Sequence, residues 1–203
     1  VSARLPVKVL TTLVVVCMLG AISCLLWREG RETLWLSRAA RADVYSAERK
    51  ANLEHAFAAE SHNDLTAYEV GECLRIAAFQ GGTDNEEQAR EAISWYQKAM
   101  GLNPYNGYYY LRCGMAWDWL GDHERAAPYF IQAEKADPNG YYMVANLGWH
   151  YVQVGDYAAA RQYFIRGIRL RGENLTAQNY LYDICLPRMR DRAAGQPQFP
   201  AFF

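Results

Sequence analysis

The feature that most constrains the fold is a self-similarity with a period of 34 residues in the second half of the chain. Residues 107–140 align with residues 141–174, and small and aromatic residues recur at matching positions. The matched pairs are Gly114 with Gly148, Trp117 with Tyr151, Gly121 with Gly155, Ala126 with Ala160 and Phe130 with Phe164. A repeat of this length is one supersecondary unit, which buries its apolar face only by stacking on its neighbours. The sequence therefore predicts a solenoid.

Each repeat is expected to be a pair of antiparallel helices. A glycine in the first helix allows the second helix to approach closely, and alanines keep the crossing narrow. A Gly-Asp pair then ends the first helix and caps the second, because glycine tolerates positive φ and aspartate accepts backbone N–H groups. The residues predicted to make the packing are Gly71, Gly114, Trp117, Ala126, Phe130, Gly148, Tyr151, Ala160 and Phe164.

This pattern resembles the tetratricopeptide repeat (TPR), with an aromatic residue, Leu-Gly, Tyr and later Ala, Phe, Ala and Pro in 34 residues. The repeat at 141–174 departs from it at Gly167 and Gly172, where Ala and Pro are usual. The resemblance implies an all-α, TPR-type solenoid of helical hairpins. It also implies that the concave face, lined by the first helix of each repeat, binds a protein or peptide partner.

An irregular repeat is predicted at 64–104, before the two regular ones. Gly71 precedes Gly114 by 43 residues, nine more than 34, and the Gly-Gly and Asp-Asn pairs at 81–87 suggest a lengthened inner turn. A helical stem is expected at 30–63, a cap helix at 174–190 and a flexible tail at 191–203.

An uncharged apolar run extends from Val9 to Trp27. It lies within a predicted N-terminal unit of residues 1–29, which consists of a flank and a transmembrane helix. Nineteen residues at about 1.5 Å each match the hydrocarbon thickness of a bilayer, so a single-pass transmembrane helix is predicted. A cleaved signal and a lipoprotein signal ending at Cys24 stay open as alternatives.

Four arginines between 28 and 41, against Arg4 and Lys8 before the run, favour a cytoplasmic C-terminal part. A bacterial inner membrane is the expected location. The first residue is Val, which fits a processed chain, an alternative start codon or a fragment of a longer protein.

Composition and motifs argue against catalysis and nucleic-acid binding. The net charge of -1 lacks the cationic excess that phosphate binding requires. Five cysteines contain no C-x-x-C pair, and no two of the four histidines stand three or four residues apart. His123 takes the place of Tyr157 in the next repeat and is expected to pack. We therefore predict no enzyme activity, no cofactor and no metal.

Helical spacing selects the residues of the concave face. They are Tyr68, Glu72 and Arg75 from the first repeat, Tyr108, Leu111, Met115, Asp118 and Trp119 from the second, and Tyr142, Ala145, Trp149 and Gln153 from the third. Trp119 and Trp149 are not required by the repeat pattern, so they are the foremost candidates for partner binding. The alternative is that these side chains pack against the protein's own stem or tail. The Lys and Asn clamp with which some TPR domains hold an acidic tail is absent.

A narrower resemblance concerns residues 65–82 and 103–164. These runs are similar to the C-terminal TPR tail of some bacterial O-antigen ligase-like membrane proteins, although the catalytic loops of that family lie in a polytopic part that has no counterpart here. Two functions are therefore expected. The first is a membrane-anchored scaffold for a membrane-associated protein partner. The alternative is an accessory C-terminal region of an O-antigen ligase-like protein in envelope polysaccharide assembly.

Overall fold

The computed structural model describes residues 7–44, 46–81 and 84–195 and contains only helices within them. The helices are α1 (Val7–Arg41), α2 (Ala47–Ala59), α3 (Asp64–Phe79), α4 (Asn85–Leu102), α5 (Gly107–Trp119), α6 (His123–Ala136), α7 (Tyr141–Gln153), α8 (Tyr157–Leu170), α9 (Leu175–Asn179) and, after a π-helical turn (Tyr180–Cys185), α10 (Leu186–Ala193). The predicted all-α hairpin solenoid is confirmed.

Consecutive helices pair as α1 with α2, α3 with α4, α5 with α6, and α7 with α8. Each hairpin then packs on the next through α2–α3, α4–α5 and α6–α7 contacts. At the two regular inner turns, Gly121 and Gly155 both have φ of 77°. Asp122 accepts from the backbone N–H of Arg125, and Asp156 accepts from that of Ala159. The Gly-Asp interpretation of these turns is confirmed.

The glycines in the first helices lie directly against aromatic rings. A Cβ added at Gly148 would stand 2.5 Å from Phe164 Cε1, and one at Gly71 would stand 2.6 Å from Tyr96 Cε1. The corresponding distance from Gly114 to Phe130 is 3.1 Å. Because the rings occupy the space of a side chain, these contacts set how closely the helices of each hairpin approach.

The other predicted packing residues lie between the helices. Ala126, Ala160 and Phe164 have no exposed surface. Trp117 and Tyr151 are only partly buried, and each packs near the surface of its hairpin: the Arg125 guanidinium lies 4.9 Å from the Trp117 ring, and Tyr151 stacks on Tyr163 at 5.2 Å.

The irregular repeat differs from its predicted form. The nine extra residues do not form one long inner turn: α3 is 16 residues long against 13 for α5, and α4 is 18 long against 14 for α6. Only two of the nine lengthen the turn, which spans 80–84 and includes residues outside the described ranges. Most of the added length is therefore helical, and it extends both helices beyond the Gly71–Tyr96 contact.

The region predicted as a stem is built differently. Helix α1 continues without a break from the apolar run to Arg41, and its last part pairs with α2 as a further hairpin. Trp35 stacks on His55 with ring centroids 4.6 Å apart. Glu32 is buried and accepts hydrogen bonds from Asn63 Nδ2 at 2.6 Å and Thr66 Oγ1 at 3.0 Å. The apolar helix is thus joined directly to the solenoid.

At the C-terminal end, the residues predicted as one cap helix form α9, the π-helical turn and α10. Helix α10 ends at Ala193, three residues into the predicted tail. Residues 196–203, which include the Phe-Pro-Ala-Phe-Phe end, lie outside the described residues. Leu181 and Cys185 in the turn are buried against α8.

Helix α1 is long and apolar enough to cross a membrane. Thr11–Arg41 provides 31 helical residues, and the most apolar stretch within it is not buried against the rest of the chain. The side chains from Leu13 to Trp27 are exposed. This exposure is what a lipid-facing helix requires, because every side of such a helix contacts hydrocarbon.

The thiols outside the apolar run are expected to be unreactive. Cys113 has no exposed surface, and burial raises its pKa to about 12. At pH 8 its thiolate fraction should be about 10³-fold below that of an ordinary cysteine. We expect iodoacetamide to modify Cys113 in the detergent-solubilised chain only after denaturation, which peptide mapping by mass spectrometry would detect. Modification of the native chain at the rate of a free thiol would show that this core is open.

Candidate functional site

The predicted concave-face residues lie on α3, α5 and α7, the first helices of three successive hairpins. Most of them are partly exposed: Tyr68, Glu72, Arg75, Met115, Trp119, Tyr142, Trp149 and Gln153. Tyr108 is 45% exposed and stacks on Tyr142, with ring centroids 6.4 Å apart. This pair brings α5 and α7 together at the N-terminal end of the face.

Three of the predicted face residues are buried, which is a correction: Leu111, Ala145 and Asp118, of which Asp118 is 3% exposed. Leu111 and Ala145 have no exposed surface. Leu111 belongs to the core cluster that contains Ala126 and Phe130 of α6, so it packs inside the hairpin and does not meet a partner. On a tightly packed helix the row next to the exposed stripe is covered by the neighbouring helix, and Leu111 lies in that row.

A charged network occupies the α3 side of the face, centred on Glu72. Its carboxylate accepts hydrogen bonds from Arg75 Nε and Nη2 at 3.0 and 2.9 Å. Arg112 Nε approaches the same carboxylate at 3.1 Å, and the Tyr96 hydroxyl donates to it at 2.6 Å. The Glu72, Arg75 and Arg112 side chains are each at most 20% exposed. Two guanidinium groups therefore share one carboxylate in a largely covered position.

The network changes how its members ionise. Burial raises the pKa of Tyr96, and the Glu72 charge beside its hydroxyl raises it further. Burial is the largest single effect on Arg112 and lowers its pKa, but the Glu72 carboxylate together with the Tyr68 and Tyr142 hydroxyls raises it, so the net shift is upward. Arg112 also donates to the Tyr142 hydroxyl at 3.1 Å, which links α3, α5 and α7 through one side chain.

An aromatic cavity of about 240 Å³ lies on the same face, between α5, α7 and the π-helical turn. Its lining includes Phe79, Trp119, Trp149 and Tyr180, together with the polar Asp118 and Asn146. Trp149 packs on Tyr180 at 4.7 Å and Trp119 on Phe79 at 5.9 Å. The two tryptophans singled out from the sequence thus line one cavity. They also contact the protein's own aromatic side chains.

A histidine cluster was not predicted. His150 Nδ1 lies 2.9 Å from both carboxylate oxygens of Asp118, and His123 Nδ1 lies 2.9 Å from Oδ1 of the same group. Asp118 and His150 are 3% and 6% exposed. The three residues come from α5, α6 and α7, so no local spacing in the sequence brings them together. The sequence predicted only packing for His123.

The sequence also contains a signal for two residues of the face that were not predicted. Arg112 and Asn146 follow Tyr108 and Tyr142 by four residues, one helical turn along the same side of each helix. Tyr180 gives no such signal, because it follows the short helix α9 and begins the π-helical turn.

Known proteins match the repeat and the fold. A tetratricopeptide repeat family model matches residues 141–174. A search by sequence against curated proteins finds no match. Among solved structures, a thermophilic TPR protein of Thermus thermophilus has a TM-score of 0.64 at 15% identity, and the match covers 70% of this chain and 73% of that chain.

Two other TPR structures are similar over much of the chain. Residues 41 to the end of MamA from Desulfovibrio magneticus RS-1 give a TM-score of 0.63 at 16% identity, with 81% of this chain and 89% of that chain covered. YrrB, described as a TPR protein with an unusual peptide-binding site, gives a TM-score of 0.53 at 22% identity. That match covers 65% of this chain and 63% of that chain. The described part of the chain is therefore a TPR-type helical-hairpin solenoid, preceded by one long apolar helix.

Proposed function

We propose that this chain is a membrane-anchored TPR scaffold that holds an apolar or aromatic segment of a protein partner on its concave face. The observation that carries the proposal is the aromatic cavity lined by Trp119 and Trp149. Its volume of about 240 Å³ is below the roughly 300–1,000 Å³ of pockets that enclose small-molecule ligands. A cavity of that size suits anchor side chains of a protein, and tryptophans are common at the centre of such contacts.

The charges beside the cavity favour this class of ligand over an acidic tail. Arg75 and Arg112 both bind Glu72, so their guanidinium groups are already paired within the face. An incoming carboxylate would have to compete with an existing ion pair. The peptide-binding site named for YrrB supports the idea that a solenoid of this fold can take a peptide.

The anchoring part of the proposal depends on α1. With residues 9–27 in the bilayer, the solenoid is held close to the membrane surface, which raises its effective concentration for membrane-associated partners. The arginines that follow the run favour the cytoplasmic side for the solenoid under the positive-inside rule. Retention of the chain in the membrane fraction after carbonate extraction, and its release on deletion of residues 9–27, would support the anchor.

Truncating the two tryptophans is expected to weaken partner capture. We expect Trp119→Ala and Trp149→Ala each to reduce crosslinked partner by at least tenfold in native membranes, because a truncated anchor commonly costs about 2 kcal/mol. The measurement is crosslinking followed by quantitative mass spectrometry. Tyr105→Ala is the matched control, since Tyr105 is 88% exposed in a loop between repeats and lines a different surface.

The captured proteins distinguish the two expected functions. Recovery of glycan-assembly membrane proteins would favour an accessory role beside an O-antigen ligase-like enzyme. Recovery of unrelated envelope proteins would favour a general scaffold. Wild-type capture by both tryptophan variants, with unchanged helicity, would overturn the assignment of the concave face.

A further inference from the structure

We propose that Asp118, His123 and His150 form a binding site for a divalent transition-metal ion of the zinc class. The three side chains each offer one ligand atom, and these atoms lie within 4.8 Å of one another. Two imidazole nitrogens with one carboxylate form a ligand set that suits Zn²⁺ and, among its competitors, Ni²⁺ and Cu²⁺. Mg²⁺ and Ca²⁺ prefer sites built from oxygen ligands alone.

The next repeat shows that packing does not require these polar groups. Thirty-four residues after Asp118, His123 and His150, the chain has Val152, Tyr157 and Ile184. These three belong to one apolar cluster at the C-terminal end of the solenoid. The same repeat positions thus pack well with apolar side chains. Burying the Asp118 carboxylate and the His150 imidazole, and partly covering the His123 imidazole, carries a desolvation cost, which a bound cation would offset.

The present distances are close to those of a metal site. Ligand atoms about 2.0–2.2 Å from a tetrahedral zinc ion stand roughly 3.3–3.5 Å apart. The two histidine nitrogens are 2.9 Å from the Asp118 oxygens. The two His–Asp distances would therefore have to open by about half an ångström, and the two histidine nitrogens, which lie within 4.8 Å of each other, would have to reach the same spacing. His123 can adjust because its side chain is 32% exposed. To bind the ion, each Nδ1 would give up the proton that it now donates to Asp118, and the neutral ring would carry its proton on Nε2, so the ion would replace these hydrogen bonds.

The site adjoins the concave cavity. Asp118 belongs to the cluster and also lines the cavity beside Trp119 and Asn146. Three protein ligands leave one position of a tetrahedral ion open, and zinc sites of that kind accept water or an exogenous ligand there. A water molecule or a polar group of a partner can reach that position from the cavity.

The test is a titration of the 203-residue chain in detergent with ZnCl₂, measured by isothermal titration calorimetry. Thermal unfolding with and without zinc is the second measurement. Cys17 and Cys24 are exposed thiols and are first replaced by serine to remove competing ligands. We expect one ion per chain, no response to MgCl₂, and a rise in melting temperature of about 5–10 °C at a free zinc concentration 100 times Kd.

Substitutions locate the site. His123→Gln and His150→Gln should each weaken zinc binding at least tenfold, whereas His62→Gln should bind like wild type, because the His62 side chain is 78% exposed and lies outside the cluster. If His150→Gln fails to fold, His123→Gln decides, since its side chain is not part of the buried core. Absence of binding by the wild type at 100 µM zinc, or wild-type affinity of His123→Gln, would overturn the proposal.

Discussion

Replacing Gly148 with leucine is expected to lower the free energy of unfolding by about 3 kcal/mol and to melt the hairpin of α7 and α8 first. The Cβ alone would stand 2.5 Å from Cε1 and 2.7 Å from Cδ1 of Phe164, and that ring is fully buried. The ring cannot move aside without displacing the core around it. Either the helices separate or the hairpin opens.

Circular dichroism of the full-length chain in detergent measures this effect. We expect the melting temperature to fall by about 6–12 °C, given roughly 2–4 °C per kcal/mol for a chain of this size. Gly101→Leu is the matched control, because Gly101 is also helical but a Cβ added there would have nothing within 4 Å. If Gly148→Leu had the same melting temperature as Gly101→Leu, the close-packing argument would be contradicted.

Replacing Glu72 with glutamine is expected to destabilise the fold by about 2–3 kcal/mol. The change keeps the shape but leaves Arg75 and Arg112 without their shared carboxylate. Removing one partner of a buried ion pair costs about 3–5 kcal/mol, and the partial exposure of these side chains reduces that figure. The Tyr96 hydroxyl would also lose its charged acceptor.

Urea unfolding of wild type and variant measures the difference. Glu86→Gln serves as control, because the Glu86 side chain is 74% exposed and its contact with Arg90 is 3.8 Å long. Exposed pairs of this kind contribute between zero and about 1 kcal/mol. Equal urea midpoints of unfolding for Glu72→Gln and Glu86→Gln would mean that water replaces the Glu72 carboxylate without loss of stability.

The sequence predicted the regular hairpins because their packing is local and periodic. A glycine, an aromatic residue and a Gly-Asp turn recur 34 residues apart, and each has a physical role within its own repeat. The irregular repeat was harder to predict. Only the helix crossing at Gly71 and Tyr96 has to keep its geometry, so both helices can lengthen beyond it without disturbing the stack.

The site was predicted less completely, since it combines residues from several elements. Trp119 and Trp149 could be selected by helical spacing, and both line the aromatic cavity. Leu111 was misplaced because one step around a helix separates an exposed row from a covered one. The cluster of Asp118, His123 and His150 depends on how α5, α6 and α7 meet in space, and a periodic pattern does not specify those contacts.

The continuity of α1 has a mechanical consequence. Arg28 directly follows Trp27, the last residue of the apolar run, and its guanidinium is 2.9 Å from the Glu60 carboxylate at the end of α2. With the run embedded in lipid, no flexible spacer would separate the bilayer edge from the first hairpin. A tilt or rotation of the embedded part would then turn the whole solenoid with it and change the direction in which the concave face points.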